Sequence, residues 1–141
     1  MTPFSAEQDA YHELSAYTLT RGDVTFIHQH VVDAWAAQHA VEGGKPIGLT
    51  FALAGLYLHL ERGFSGRQVQ RAHMEMGRRR REWPGFAMPA ERGSITAIDV
   101  MAAPEGPARD KATEVWCRSV WNVFSANRPA IEALVRAYGI I

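Results

Sequence analysis

Three of the six histidines in this 141-residue chain fall within one segment, FIHQHVVDAWAAQH, residues 26–39. The same segment contains Asp33 and two glutamines. Imidazoles and carboxylates can hold a divalent metal or transfer protons, and amides can orient a polar ligand. These residue types therefore predict a polar site, provided that helical geometry brings them onto one face.

Helical geometry separates the three histidines. His28 and His39 return to within about 20° of the same face, but they lie roughly 16 Å apart along the axis, too far to hold one ion. His28 and His30 point about 200° apart, so only one of them can face a given pocket. Asp33 has helical-neighbour spacing to both Gln29 and His30, and either can be its partner.

An apolar stripe predicts which side of this helix faces the core. The stripe consists of Val24, Ile27, Val31 and Trp35, and His28 borders it, so we expect His28 to be half-buried. A histidine hydrogen-bonded at the edge of a core is the commoner outcome for such a position, and a ligand or acid–base role is the rarer one.

A metal site would need ligands from other helices, because one helix cannot complete it. The candidates are His12, His59, Glu61 and His73. The chain contains no HExxH, HxxxH or Glu-x-x-His pattern, which counts against a specific metal signature.

The rest of the chain predicts further helices joined by short connections. Capping-box pairs, Ser5 with Gln8 and Ser65 with Gln68, open two of them, and Pro46 and Gly63 suit the two ends of another. Gly55 inside that helix suggests a close approach of another helix or a ligand. The expected helices cover residues 6–19, 23–41, 46–63, 66–82 and 107–125, with a shorter one at 129–138. Residues 94–103 are ambiguous: their β-branched residues suit a strand, but no partner strand is evident, so we interpret them as a short helix. We expect an all-α, single-domain bundle of five or six helices over residues 1–141.

Charge and composition narrow the possible partners and the compartment. Fifteen basic residues balance fifteen acidic ones, so no overall field attracts nucleic acid or anionic lipid. The most apolar run, residues 47–60, is shorter than the roughly 20 residues of a membrane span. The single cysteine and the absence of a signal-peptide pattern at the start agree with the cytoplasm. We therefore expect a cytoplasmic protein without nucleic-acid or membrane partners.

Several segments together resemble a known family. They are YHELSAYTL (residues 11–19), the frame H-x3-VDAW-x2-QH (28–39), FALAGLYLHLERGFSGRQVQRAHM (51–74) and the pair W-x4-W (116–121). This pattern is similar to the DUF5946 family of bacterial proteins of unknown function. The resemblance implies that positions His28, Asp33, Gln38 and His39 align, whereas position 30 is apolar in other members. It implies no activity, substrate or cofactor.

The combined expectation is a polar pocket that binds a small ligand or a divalent metal. Its wall would comprise His28, Asp33, Gln38 and His39 on one helix, with Gln70 and His73 on another. A metal such as Zn²⁺, Ni²⁺ or Fe²⁺ would be held by His28 and His73. The alternative is a non-catalytic structural or interaction module, possibly a homodimer, in which the histidines are structural.

Overall fold

Seven α-helices account for most of the computed structural model, which describes residues 3–79 and 83–141, with side chains from residue 6 onward. No strand occurs in these ranges, so the predicted all-α class is confirmed, with seven helices in place of five or six. None of the described helices is long and apolar enough to cross a membrane. The helices are α1 (Pro3–Arg21), α2 (His28–Gln38), α3 (Pro46–Arg62), α4 (Gly66–Arg79), α5 (Ala97–Ala102), α6 (Pro107–Val123) and α7 (Arg128–Ala137), the last preceded by a 3₁₀ turn at Ser125–Asn127.

Local signals fix the ends of α3 and the start of α4 as predicted. Pro46 occupies the first turn of α3, and Gly63 ends the helix with a left-handed φ of 72°, which costs glycine little. The Gln68 amide N–H donates to the Ser65 hydroxyl over 3.2 Å, and the Gln68 side chain accepts from the Ser65 amide over 2.8 Å. Two further predictions fall outside the described part of the chain. They are the capping box at Ser5, whose side chain is not described, and the end of α4 at residues 80–82, which are not described either.

The start of α2 lies five residues later than predicted. Asp23 accepts from the Ile27 amide over 3.0 Å, but Phe26 between them has a φ of 57°, which a helix cannot contain. The turn rests on α4: a β-carbon at Gly66 would lie 1.8 Å from the Phe26 carbonyl oxygen. Val24 is consequently 87% exposed, so the predicted stripe is wrong at this residue, whereas Val31 within the stripe is fully buried.

Helices α2 and α3 form the centre of the bundle. α3 packs against α2, α4, α6 and α7, and residues 52–58 of α3 are all buried. The buried face of α2 carries three apolar residues (Val31, Ala34 and Ala37) and three polar ones: His30, Asp33 and Gln38. Because buried polar groups cost free energy unless they are hydrogen-bonded, each of these three needs a structural or functional account.

The segment between α4 and α5, called here the irregular connection, has no helix or strand over residues 84–93, as predicted, and is anchored to the turn before α7. The Asn127 side chain exchanges two 2.9 Å hydrogen bonds with the backbone of Ala87. Near the other end, Thr96 and Asp99 form a capping box that starts α5, so the helical interpretation of residues 94–103 is confirmed for 97–102. This anchored connection forms one wall of the cavity described below.

Candidate functional site

His28 begins α2 and faces α1. Its Nδ1 lies 2.9 Å from the Thr18 hydroxyl, and the residue is half-buried, as expected. Burial lowers the pKa of His28 below its ordinary value. The position is therefore a neutral histidine tied to α1 by a hydrogen bond.

Asp33 is buried where α2 crosses α3. One carboxyl oxygen accepts from the Gln29 amide over 3.1 Å, which selects Gln29 over His30 as its partner. The other oxygen, Oδ2, has no hydrogen-bond partner in the described structure and lies where a side chain at position 55 would begin, 1.9 Å from an ideal β-carbon on Gly55. Burial raises the pKa of Asp33 well above its usual value, which favours the neutral acid. Gly55 thus admits a carboxyl group from the neighbouring helix.

Gln38 is a fully hydrogen-bonded structural amide. Its Nε2 donates to the carbonyls of Arg92 and Ile95 over 3.1 and 2.8 Å. Its Oε1 accepts from the Trp116 indole over 2.9 Å. Gln38 therefore joins α2, α6 and the irregular connection, and these contacts use the amide groups that a ligand would otherwise meet.

His39 follows the last residue of α2 and stacks on an aromatic pair. Its ring lies 3.7 Å from the Trp35 ring, which stacks in turn on Tyr11 at 4.4 Å. Its Nε2 lies within hydrogen-bond distance, 2.7 Å, of a carboxylate oxygen of Glu7 in α1. His39 also lines a cavity of about 400 Å³ bordered by Phe86 of the irregular connection.

The two predicted residues of α4 have local or structural contacts. His73 Nε2 donates to the Phe51 carbonyl over 2.7 Å, and burial lowers its pKa. Gln70 accepts from Arg67 one turn earlier over 3.3 Å. The six predicted residues thus contact α1, α3, α4 and the connection separately. Among the described residues, no three His, Cys, Asp or Glu side chains are arranged to hold a metal ion.

A second histidine arrangement, between α2, α3 and α6, was not predicted. The imidazole of His30 stacks on that of His59, with 3.5 Å between centroids and 17° between planes. His59 Nδ1 donates to the Phe64 carbonyl over 2.9 Å, and its Nε2 forms a short ion pair with Glu114 of α6. His30 is 3% exposed, and its Nδ1 has no partner in the described ranges.

The charges in this arrangement concentrate on His59 and Glu114. Burial opposes the protonation of His59, but its hydrogen bonds to Glu114 and Phe64 and the Glu114 charge outweigh this and raise its pKa. The hydrogen bond from His59 lowers the pKa of Glu114 despite partial burial. Burial first, and then the neighbouring His59, lower the pKa of His30 to about 3. The geometry therefore favours a charged His59–Glu114 pair beneath a neutral His30.

Glu114 connects this pair to a surface cavity of about 700 Å³, called here the α6 cavity. One wall is α6 and the other is the irregular connection. Gly93 brings them close, because a β-carbon there would lie 2.7 Å from the Ser119 hydroxyl. The lining residues are Glu91, Gly93 and Ser94 of the connection and Lys111, Glu114, Val115, Arg118, Ser119, Asn122 and Val123 of α6.

Sequence reasoning named His59 as a possible ligand but did not select His30 or Glu114. Geometry correctly required His28 and His30 to face opposite ways, but the resemblance, which implies an apolar residue at position 30, directed the choice to His28. The apolar character implied by the resemblance at position 30 agrees with the burial of His30. Glu114 had no sequence signal, since its partner is 55 residues away.

Of three comparisons with known proteins, one found a match. The chain matches no curated protein and no solved structure. A family model, described as a family of unknown function (DUF5946), matches residues 6–125. Because this match covers most of the chain, the protein belongs to the DUF5946 family.

Proposed function

We propose that this protein binds a small polar ligand in the α6 cavity, using the His59–Glu114 pair as its protonatable group. The observation that carries the proposal is the ion pair itself, which extends from the buried His30–His59 stack to a carboxylate in the cavity wall. Buried titratable pairs with displaced pKa values that open into a cavity are characteristic of binding and catalytic sites.

The two hydrogen-bond partners of His59, Phe64 and Glu114, have different roles in the proposed site. The Phe64 carbonyl holds Nδ1 and thereby fixes the orientation of the ring. Glu114 holds Nε2, but its side chain is 43% exposed, so it can also accept a hydrogen bond from a molecule in the cavity. His59 then supplies or takes back a proton through Glu114, which suits ligands that carry an ionisable hydroxyl or amine.

An organic ligand is favoured over a divalent metal. Zn²⁺, Ni²⁺ and Fe²⁺ sites ordinarily use three or more protein ligands, and no such group converges in the described residues. The expected metal pair, His28 and His73, is hydrogen-bonded to Thr18 of α1 and to the Phe51 carbonyl of α3. Elemental analysis of untagged protein tests this directly. We expect no stoichiometric metal, whereas zinc that disappears in a His28→Ala/His73→Ala variant would support the metal site instead.

The ligand proposal is tested by a thermal-shift screen of metabolites. Compounds that raise the Tm of the wild-type protein should lose this effect in Glu114→Gln, which keeps the shape of the side chain but removes its charge. Glu105→Gln is the matched control, because Glu105 is exposed on the loop before α6. Equal shifts in wild type and Glu114→Gln would place the binding elsewhere and contradict the proposal.

An interaction module is the second candidate, supported by one exposed apolar area. Val115 is 48% exposed and borders a small cavity lined by Ile95, Ala108 and Ala112. Exposed apolar areas of this kind can mark a homodimer interface. Light scattering after size exclusion tests this: a dimer abolished by Val115→Glu but not by Val24→Glu would support it.

The location in the cytoplasm and the absence of nucleic-acid and membrane partners remain proposals from the sequence. They rest on the zero net charge and the single cysteine. Cell fractionation and a gel-shift assay with mixed DNA and RNA check them, and membrane recovery or a stable shift would contradict them.

A further inference from the structure

The α6 wall of the cavity presents two cations on one helical face. Lys111, Val115, Arg118 and Asn122 line the α6 cavity at steps of four, three and four residues, which is the spacing of one face. Neither Lys111 nor Arg118 forms a hydrogen bond or ion pair with the described residues. Both charges are therefore available to a molecule in the cavity.

The acidic groups of the cavity do not cancel these two cations. Glu114 is paired with His59 behind it, which leaves Glu91 as the opposing charge in the lining. Arg118 also lowers the pKa values of His59 and Glu114 through its charge, so its field reaches the ion pair. Because His59 balances Glu114, the two cations of the lining face one unbalanced carboxylate, Glu91. The cavity therefore keeps an excess of one positive charge, although the whole chain is neutral.

Neutral donors complete the lining. The hydroxyls of Ser94 and Ser119 and the amide of Asn122 face the same cavity, and the close approach of Gly93 to Ser119 brings the two walls together. Guanidinium and ammonium groups beside hydroxyls and an amide form a donor set that matches anionic oxygens.

We infer that the α6 cavity takes a small organic molecule bearing a carboxylate or phosphate group, with this group between Lys111 and Arg118. The hydroxyl or amine part of the ligand then lies toward Glu114, the carboxylate that is paired with His59. This inference rests on the proposed function, because it specifies the ligand of the same cavity.

The test is a nuclear magnetic resonance titration at constant ionic strength, with inorganic phosphate in one arm and succinate in the other. Amide shifts of Ser94, Ser119 and Asn122 report binding to the cavity. Removing both cations in Lys111→Gln/Arg118→Gln should weaken binding about tenfold or more, since each charge-assisted hydrogen bond contributes about that much. Arg71→Gln is the control, because Arg71 is exposed on α4, which does not pack on α6.

Each outcome decides the inference. Saturable shifts in wild type and the control, weakened in the double variant, support it, and the stronger arm identifies phosphate or carboxylate. Equal affinity in the double variant would overturn it. A third outcome is that uncharged or cationic compounds bind, that their binding depends on Glu114, and that anions do not bind. This outcome would overturn the inference of an anionic ligand but would still support the proposed function. Failure of every compound in both the titration and the thermal-shift screen would overturn both.

Discussion

The imidazole of His30 lies parallel to that of His59, 3.5 Å away between ring centroids. Two protonated rings at this distance would repel strongly in a buried setting. Burial and the neighbouring charge keep the pKa of His30 at about 3, whereas Glu114 and the Phe64 carbonyl raise that of His59 against the effect of burial. The stack therefore favours a single positive charge, and this charge lies on the ring that is connected to the cavity.

This difference can be measured directly by ring-nitrogen NMR of the histidines. We expect the pKa of His59 to lie above the ordinary histidine value and His30 to stay neutral down to about pH 3. In Glu114→Gln the pKa of His59 should fall, because its main hydrogen-bonding partner loses its charge. A His30 signal that titrates before that of His59 would refute this assignment.

The His59–Glu114 pair should stabilise the fold within a limited pH range. The raised pKa of His59 gives stability that is complete below its unfolded value of about 6.5 and is lost as pH rises through the folded value. The lowered pKa of Glu114 gives stability that is present above about 4.3 and is lost as pH falls through the folded value.

The stability lost in Glu114→Gln should therefore be largest between about pH 5 and 6. It should not exceed about 1 kcal/mol, since solvent screens the partly exposed carboxylate. Urea unfolding at pH 3.5, 5.5 and 8.5 measures this, with Glu105→Gln as a control that should show no pH-dependent difference. A loss that grows steadily toward high pH would contradict the assignment.

Asp33 should make the fold less stable as the pH rises. Its folded pKa is raised well above the usual value by burial, so the folded state holds a proton that the unfolded state releases above about pH 4. Asp33→Asn keeps the acceptor for Gln29 and removes this proton. We expect the variant to gain about 1–3 kcal/mol relative to wild type between pH 5 and 8. Parallel pH dependence in urea unfolding of the two proteins would show that Asp33 is ionised.

Gly55 should not tolerate even a methyl group. Gly55→Ala places a β-carbon 1.9 Å from Asp33 Oδ2, and we expect a loss of about 2–4 kcal/mol as α2 and α3 move apart. Gly48→Ala in the same helix meets no atom within 4 Å and should stabilise by up to about 1 kcal/mol. Combining Gly55→Ala with Asp33→Ala should recover part of the loss, and strictly additive losses in this double-mutant cycle would show that the two residues do not clash.

Sequence patterns predicted the helical fold well where a boundary depends on neighbouring residues. The Ser65–Gln68 capping box and the Gly63 cap act within one turn, and both are confirmed. The start of α2 depends instead on a contact with Gly66, 40 residues after Phe26, and no local pattern reports it. The choice of His28 over His30 had another source, the resemblance, which implies an apolar residue at position 30.

The candidate site could also be predicted only in part, because sequence patterns do not report contacts between distant helices. Asp33, Gln38 and His39 were selected from residue type and from the resemblance at these positions, and the structure gives each a definite partner in Gln29, Trp116 or Glu7. The pair of His59 and Glu114 is formed between α3 and α6, so it arises only from tertiary packing. Whether any of these residues binds a ligand is decided by the experiments above.

The contact between the residue 25–26 turn and α4 also bears on how the chain assembles. The Thr25 carbonyl accepts from the Arg67 amide over 2.9 Å, and Phe26 has a left-handed φ of 57°, a conformation that a bulky residue seldom adopts without tertiary support. The turn can therefore become stable only after the first residues of α4 have docked. The position at which α2 begins, and with it the side of α2 that carries His30 inward, is therefore set by a long-range contact with α4 and not by the residues on either side of Phe26.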